Sequence, residues 1–340
     1  MADPAGVLLI GGSGFIGGHV ARALIDAGHR VTVLSRGTKA VPAGAEALAA
    51  DRGDAASLAA ALEGRRWDHT FDFGAFDAPD IERLLLVPYA ALGRYVMISS
   101  GQVYLVTDGA TPPFRERDTA HSLKPEPPTD SDEHAGWVYG TGKRRAESAL
   151  LALRATHGMR ATILRLTNVQ GEGDVSLRLW AWLERLLDGG PLLLPDGGTM
   201  PARPLYVGDV ARLAVRFVEG LTPRDAAYNL AQPDVVTVRS LIEKIAAIAG
   251  VAPRFVDAPW DELRASGLPL WFAPYASRWN SLLDPSHAAA EFGFAGTRLD
   301  DYLPAVVRWH LEHRPAESHP GYEFRARERA FAAARASVTS

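Results

Sequence analysis

The sequence predicts an α/β protein, a doubly wound parallel sheet with a smaller C-terminal lobe interleaved with it. Three observations lead there. Short apolar runs alternate with helical patterns through the first half of the chain, a glycine-rich turn follows the first run, and shorter, more broken elements follow Gly171.

Residues 7–10 read as a strand, 15–27 as a helix, 31–34 as a strand, 54–62 as a helix and 70–73 as a strand. That rhythm is the one right-handed crossovers between parallel strands produce. It continues with a strand at 95–98, a helix carrying Tyr139 to about residue 156, and a β-rich run at 161–166 after Gly158. Between residues 105 and 135 the pattern lapses into prolines mixed with Glu116, Asp118, Glu126, Asp130, Asp132 and Glu133. This segment has no core of its own, and is either a lid over the active site or a solvated insertion. A helix bearing Trp180 and Trp182 follows, then a Gly- and Pro-rich stretch and a helix from about Asp209. Residues 227–230 read as a strand, with Thr237 capping a helix to about residue 249. The tail after Pro315 is a terminal helix or frays. Trp180, Trp182, Trp271 and Trp279 either line a pocket or fill cores and subunit contacts. The expected division is a dinucleotide domain at 1–168 with 203–231 returning to it, a substrate lobe at 169–202 and 232–315, an insertion at 105–135 and a tail at 316–340.

Composition excludes several classes. The 340 residues are 47% apolar and 22% charged, an ordinary globular balance, and the formal charge of -4 supplies no bulk attraction to nucleic acid or anionic membranes. Without cysteine, disulfides and thiolate chemistry are ruled out. The first apolar run stops at Gly11 with no basic leader, and nothing approaches a membrane span, so a soluble cytoplasmic chain is expected. No metal site is expected; Asp130, Asp132, Glu133 and His134 read as hydrated chain neighbours.

Gly11, Gly14 and Gly17 are spaced G-x-x-G-x-x-G between the first strand and the first helix, with Phe15 and Ile16 inside the motif. There the backbone turns sharply and helix-terminal amides face a pyrophosphate, the Rossmann-type arrangement. At the end of the second strand, where an acid would hold the ribose of NAD, stand Ser35 and Arg36. Arginine there accommodates a 2′-phosphate, favouring NADP over NAD, or else covers the adenine face. Tyr139 and Lys143 lie four residues apart, about one helical turn, so phenol and ammonium share a face. The positive charge is expected to lower the tyrosine pKa and make Tyr139 a proton carrier. Arg144 and Arg145 are expected on the solvated face, and Ala146, Ala149, Leu150 and Leu153 form an apolar stripe that is either core or a homodimer contact.

With Gly11-Gly-Ser-Gly-Phe-Ile-Gly17, Ser99-Ser-Gly-Gln-Val-Tyr104 and Tyr139-Gly-Thr-Gly-Lys143 in that order, the chain resembles the extended short-chain dehydrogenase/reductases, the NAD(P)-dependent epimerase/dehydratase group. The likeness continues through Arg165-Leu-Thr-Asn-Val-Gln-Gly171, Arg203-Pro-Leu-Tyr-Val-Gly-Asp-Val-Ala211 and Tyr228-Asn-Leu230. It implies Tyr139 as proton donor or acceptor, Lys143 on the nicotinamide ribose, and Ser100, three residues before Val103-Tyr104, on the reacting oxygen beside Gln102, with Ser99 structural. It implies Asp51 near the adenine, unless that aspartate caps its own loop, and Gly74 and Ala75 as small residues beneath the dinucleotide. Asn168 and Arg203 match positions that contact the substrate diphosphate in sugar-nucleotide members. Gly101 and Gln102 stand where dehydratases carry an Asp-Glu pair, so dehydration is not expected, and the 39 residues from Ser100 to Tyr139 exceed the family spacing because the insertion intervenes.

The expected activity is epimerisation or ketone reduction at a carbinol carbon of a nucleotide-activated sugar. Reduction of a non-sugar carbonyl by NADPH is one alternative. A catalytically idle dinucleotide-binding regulator or nucleic-acid partner is the other.

Overall fold

A computed structural model describes residues 3–86, 88–276 and 280–338, so Trp279 lies outside the described residues. Its centre is a seven-stranded sheet made of β1 (Gly6–Ile10), β2 (Arg30–Ser35), β3 (Glu46–Ala49), β4 (His69–Asp72), β5 (Arg94–Ser100), β6 (Ala161–Leu166) and the strand Ala227–Leu230. All pairs are parallel, in the order Ala227–Leu230, β6, β5, β4, β1, β2, β3. The chain builds outward from β1 through β2 to β3, returns to β4 and then builds the other way. That reversal opens a crevice at the carboxyl ends of β1 and β4, where ligands bind in such sheets.

Both faces of β1 are buried, and its alternate side chains divide between two cores. Val7 and Leu9 join Val20 and Leu24 of the helix α1 (Phe15–Asp26), with Phe217 of the helix Val207–Val218. Leu8 and Ile10 pack with Leu58 and Leu62 of the helix α2 (Ala55–Leu62) and with Leu150 of the helix His134–His157. Asp54 caps α2 by accepting the Ala56 and Ser57 amides. Ala146 and Leu150 are fully buried in this second core and Leu153 joins them, so most of the apolar stripe of the Tyr139 helix is core. The strand β3 was not expected: Glu-Ala-Leu-Ala favours helix, and parallel pairing with β2 overrides that preference.

The 105–135 segment lies against the body of the protein. Phe114 is 4% exposed and stacks on Tyr104 at 5.1 Å. The buried Arg165 of β6 donates to Glu147 of the Tyr139 helix at 2.7 Å, to the Tyr104 hydroxyl at 2.8 Å, and to the Glu116 carbonyl and Thr119 hydroxyl of the insertion at 2.9 and 3.1 Å. Glu116 in turn accepts the Asn229 amide at 2.7 Å. Arg144, expected on the solvated face, instead donates to the Thr107 hydroxyl and the His121 carbonyl and holds the same segment. Arg145 is exposed and pairs with Asp77. His134 bonds Glu126 at 3.0 Å.

The C-terminal part has its own core. Trp180 and Trp182 of the helix Arg178–Leu187 pack there with Ile242, Trp260 and Val306, and Trp182 donates to the Pro274 carbonyl at 2.9 Å. Two short strands, Leu192–Pro195 and Phe255–Ala258, pair beside it. Trp271 is 41% exposed and meets Phe324 edge-on. The tail forms the helix Arg325–Val338, docked by Glu328, which is 0% exposed and takes the Arg185 guanidinium at 2.5 Å. No helix among the described residues is long and apolar enough to cross a membrane.

Candidate active site

The parallel register brings the carboxyl ends of four strands level. Ile10 pairs with Asp72, and Ser100 with Leu166, so the residues that follow or end these strands share one edge. Along that edge runs a cleft of about 600 Å³ whose walls include Gly11, Gly14, Ser100, Tyr139, Lys143 and Asn168. Phe15, Ile16, Gly17 and Gln102 also line it.

Gly11 sits at φ 78°, a conformation that costs glycine nothing, and its amide donates to the Leu34 carbonyl at 2.9 Å. A side chain at Gly17 would meet the Gly12 Cα at 2.6 Å, so only glycine lets α1 approach the turn. Gly14 caps α1 without a side-chain bond, leaving first-turn amides toward the cleft. This cradle suits a pyrophosphate.

Ser100 ends β5, and its hydroxyl shares the cleft with that of Tyr139, near enough to draw the phenol's pKa down. Ser99 turns the other way and donates to Glu147 at 2.5 Å. Burial pushes the Tyr139 phenol upward from its ordinary 10.0, while the Ser100 hydroxyl and the charge of Arg178 pull against that rise. The expected lowering by Lys143 is not what this geometry produces. The Lys143 ammonium is 5.9 Å from the centre of the Tyr139 ring and donates to the Ala75 and Ile98 carbonyls at 2.7 and 2.9 Å. Two of its three donors are thus used and one is left for a ligand hydroxyl. Burial draws the Lys143 pKa down to about 8, with Asp72 and Glu147 pulling it back up.

Other expected site residues lie elsewhere. Ser35 ends β2 and Arg36 follows it, beside the glycine turn and outside the cleft lining; Arg36 is exposed, and the Ser35 hydroxyl accepts the Gly37 amide at 3.4 Å. Asp51 accepts the Gly53 amide at 2.8 Å and closes its own turn. Next to it Arg52, unremarked in the sequence, pairs with the buried Asp72 at 2.5 Å, within 3.2 Å of where a Gly74 side chain would begin. Gly74 and Ala75 follow β4, and Phe73 and Phe76 present side chains to the cleft from the same segment. Arg203 corrects the diphosphate expectation. It does not line the cleft, and its three nitrogens donate to the backbone carbonyls of Gln232, Leu283 and Pro233 at 2.8, 2.9 and 2.9 Å. Asp174 and Arg178, missed in the sequence, do line it. The one available signal was a cation opening a helix, against the helix dipole.

Residues 7–231 match the model of the NAD dependent epimerase/dehydratase family. The chain belongs to this family. As a member it is 27% identical over 290 residues to 2′-dehydrokanamycin reductase from Streptomyces kanamyceticus, covering 83% of this chain and 77% of that protein. It is 26% identical over 263 residues to chloroplast stem-loop binding protein of 41 kDa b from Arabidopsis thaliana, covering 72% and 63%. Among solved structures, the UDP-glucose 4-epimerase of Thermotoga maritima with UDP-glucose superposes with a TM-score of 0.71 at 18% identity, over 91% of this chain and all of that one, a likeness of fold.

Proposed function

We propose that this epimerase/dehydratase family member is a cytoplasmic enzyme that transfers hydride to and from a carbinol carbon of a sugar, with NADP as the favoured dinucleotide and nucleotide-activated sugars the first substrates to test. The observation that carries this is the Ser100–Tyr139 hydroxyl pair beside Lys143, in a cleft that begins at the Gly11 turn. The bound nicotinamide supplies or accepts the hydride. Ser100 holds the substrate oxygen, and Tyr139 gives it a proton when a ketone is reduced or takes one when an alcohol is oxidised. Lys143 orients through its remaining donor. Released product makes the net reaction a reduction, whereas a ketone kept and reduced on its other face makes it an epimerisation.

Reduction has the stronger support: burial favours the protonated Tyr139 phenol, and Arg36 follows the second strand, a sequence position at which arginine can accommodate a 2′-phosphate. Water loss has less support, since Gly101 and Gln102 stand where the dehydratases carry an Asp-Glu pair. Similarity to a stem-loop binding protein favours a second reading, a dinucleotide-binding protein with a nucleic-acid partner and no turnover. The test is fluorescence titration with NADPH and NADH, followed by dinucleotide oxidation assays on keto-sugars with the wild type and Tyr139→Phe. Tighter NADPH binding in both proteins, with turnover in the wild type alone, is expected. Binding of neither dinucleotide overturns the redox reading, and dinucleotide binding without turnover on any keto-sugar turns the choice to the second one.

A further inference from the structure

Arg178 opens the helix Arg178–Leu187 on the wall of the cleft that holds Ser100 and Tyr139. Its side chain is half-buried, yet makes no hydrogen bond or ion pair with any described residue. Helix stability does not explain it. A cation in the first turn opposes the macrodipole, and this helix has no acid in its first turn to offset that. Leu177, just before it, holds φ at 56°, a left-handed conformation that leucine rarely adopts.

The neighbouring Asp174 carboxylate feels the Arg178 charge but makes no hydrogen bond or ion pair with it. Asp174, one turn earlier, is 4% exposed, and its two oxygens are taken by the amide and the hydroxyl of Ser176, each at 2.8 Å. The Arg178 charge is also felt by Tyr139, whose phenol it draws down, and by Tyr275 and His319. A partly desolvated guanidinium is costly to leave unpaired. In front of this one lies the cleft.

We propose that Arg178 is a specificity-determining residue that receives an oxyanion of the substrate, a carboxylate or a phosphate, and thereby sets the carbinol carbon against Ser100 and Tyr139. This rests on the hydride-transfer reading above. The planar fork of arginine matches either group with two parallel bonds. It also replaces Arg203, whose nitrogens are occupied by backbone carbonyls, as the cation available to an acidic substrate.

The test measures binding of UDP-glucuronic acid, UDP-glucose, glucuronate and glucose to the full chain loaded with dinucleotide, in the wild type, Arg178→Ala and Arg178→Lys. NADPH titration of each protein reports independently on folding and on the redox site. A carboxylate partner makes UDP-glucuronic acid bind about tenfold tighter than UDP-glucose. A phosphate partner makes UDP-glucose bind about tenfold tighter than glucose with no preference for the acid. Either preference is lost in Arg178→Ala, is partly kept in Arg178→Lys, and leaves NADPH affinity unchanged. Charged ligands that bind no better than neutral ones, or a preference that survives Arg178→Ala, overturn the proposal while NADPH binding stands. Failure of the wild type to bind dinucleotide removes the redox reading itself, and the proposal with it.

Discussion

Tyr139 works from a position where burial, not a neighbouring cation, sets its proton affinity. Tyr139 is expected to touch the dinucleotide as well as to carry the proton; replacing it with Phe keeps the ring and removes only the hydroxyl, so turnover is expected to fall by ~10²–10⁴-fold with a much smaller change in NADPH affinity, measured by steady-state kinetics and fluorescence titration. Lys143 sets the alkaline limit. With its pKa near 8, the ammonium is present below that pH and lost above it, so the rate of reduction falls as pH rises through about 8. A pH–rate profile that stays flat to pH 9 contradicts this, and Lys143→Met should abolish the step. The same shift acts on folding. Between about 8 and the ordinary 10.5 the unfolded chain holds more protons at this lysine than the folded one, so its contribution to stability improves as pH rises through that window. That Ser100, Tyr139, Lys143 and the glycine turn meet on one cleft was legible because their placement depends on local spacing. Arg178 was not, since its place on the cleft wall comes from a fold the sequence does not draw, and Arg203 misled because its acceptors, at Gln232 and Leu283, are distant in the chain.

Among the elements, the C-terminal helix Arg325–Val338 departs most from its appearance as a tail. Glu328 and Arg185 are 0% and 1% exposed, and Arg325 reaches both Glu328 at 2.9 Å and Asp188 at 2.6 Å. Glu328→Ala leaves Arg185 buried without its carboxylate, and is expected to cost about 3–5 kcal/mol in urea unfolding. Asp188 adds a pH dependence. Its carboxyl is held below the ordinary 3.8, against burial, by the Arg325 side chain and the Gly190 amide, so its contribution is present above 3.8 and lost as pH falls below. Limited proteolysis should therefore cut residues 325–338 faster below pH 3.8 than at pH 5. The composition Arg-Ala-Arg-Glu-Arg made a helix readable here, but the ion pairs that dock it join residues about 140 positions apart. For the same reason β3 was missed, because its pairing with β2, not its own residues, makes it a strand.

At the scale of the whole molecule, the central sheet apart from β3 was legible because short apolar or β-branched runs alternate with helical patterns. The C-terminal part was not, since its two-stranded pieces pair segments as remote as Leu192–Pro195 and Phe255–Ala258. Acid sensitivity is a property of the assembled fold. His69, His310 and His319 are each drawn down to about 4 by burial, and both ring nitrogens of His310 lack a partner among the described residues. Between 6.5 and about 4 the unfolded chain takes up protons at these sites that the folded one refuses, so stability falls as pH falls through that window. Urea midpoints should be lower at pH 5 than at pH 7. Arg165 carries a last consequence, for time rather than energy. Since it binds the Glu116 carbonyl and the Thr119 hydroxyl to β6, next to the edge strand of the sheet, the backbone at 116–120 cannot open without disturbing β6. In deuterated water its amide protons should exchange on the slow clock of the sheet, not on the fast clock of a loop.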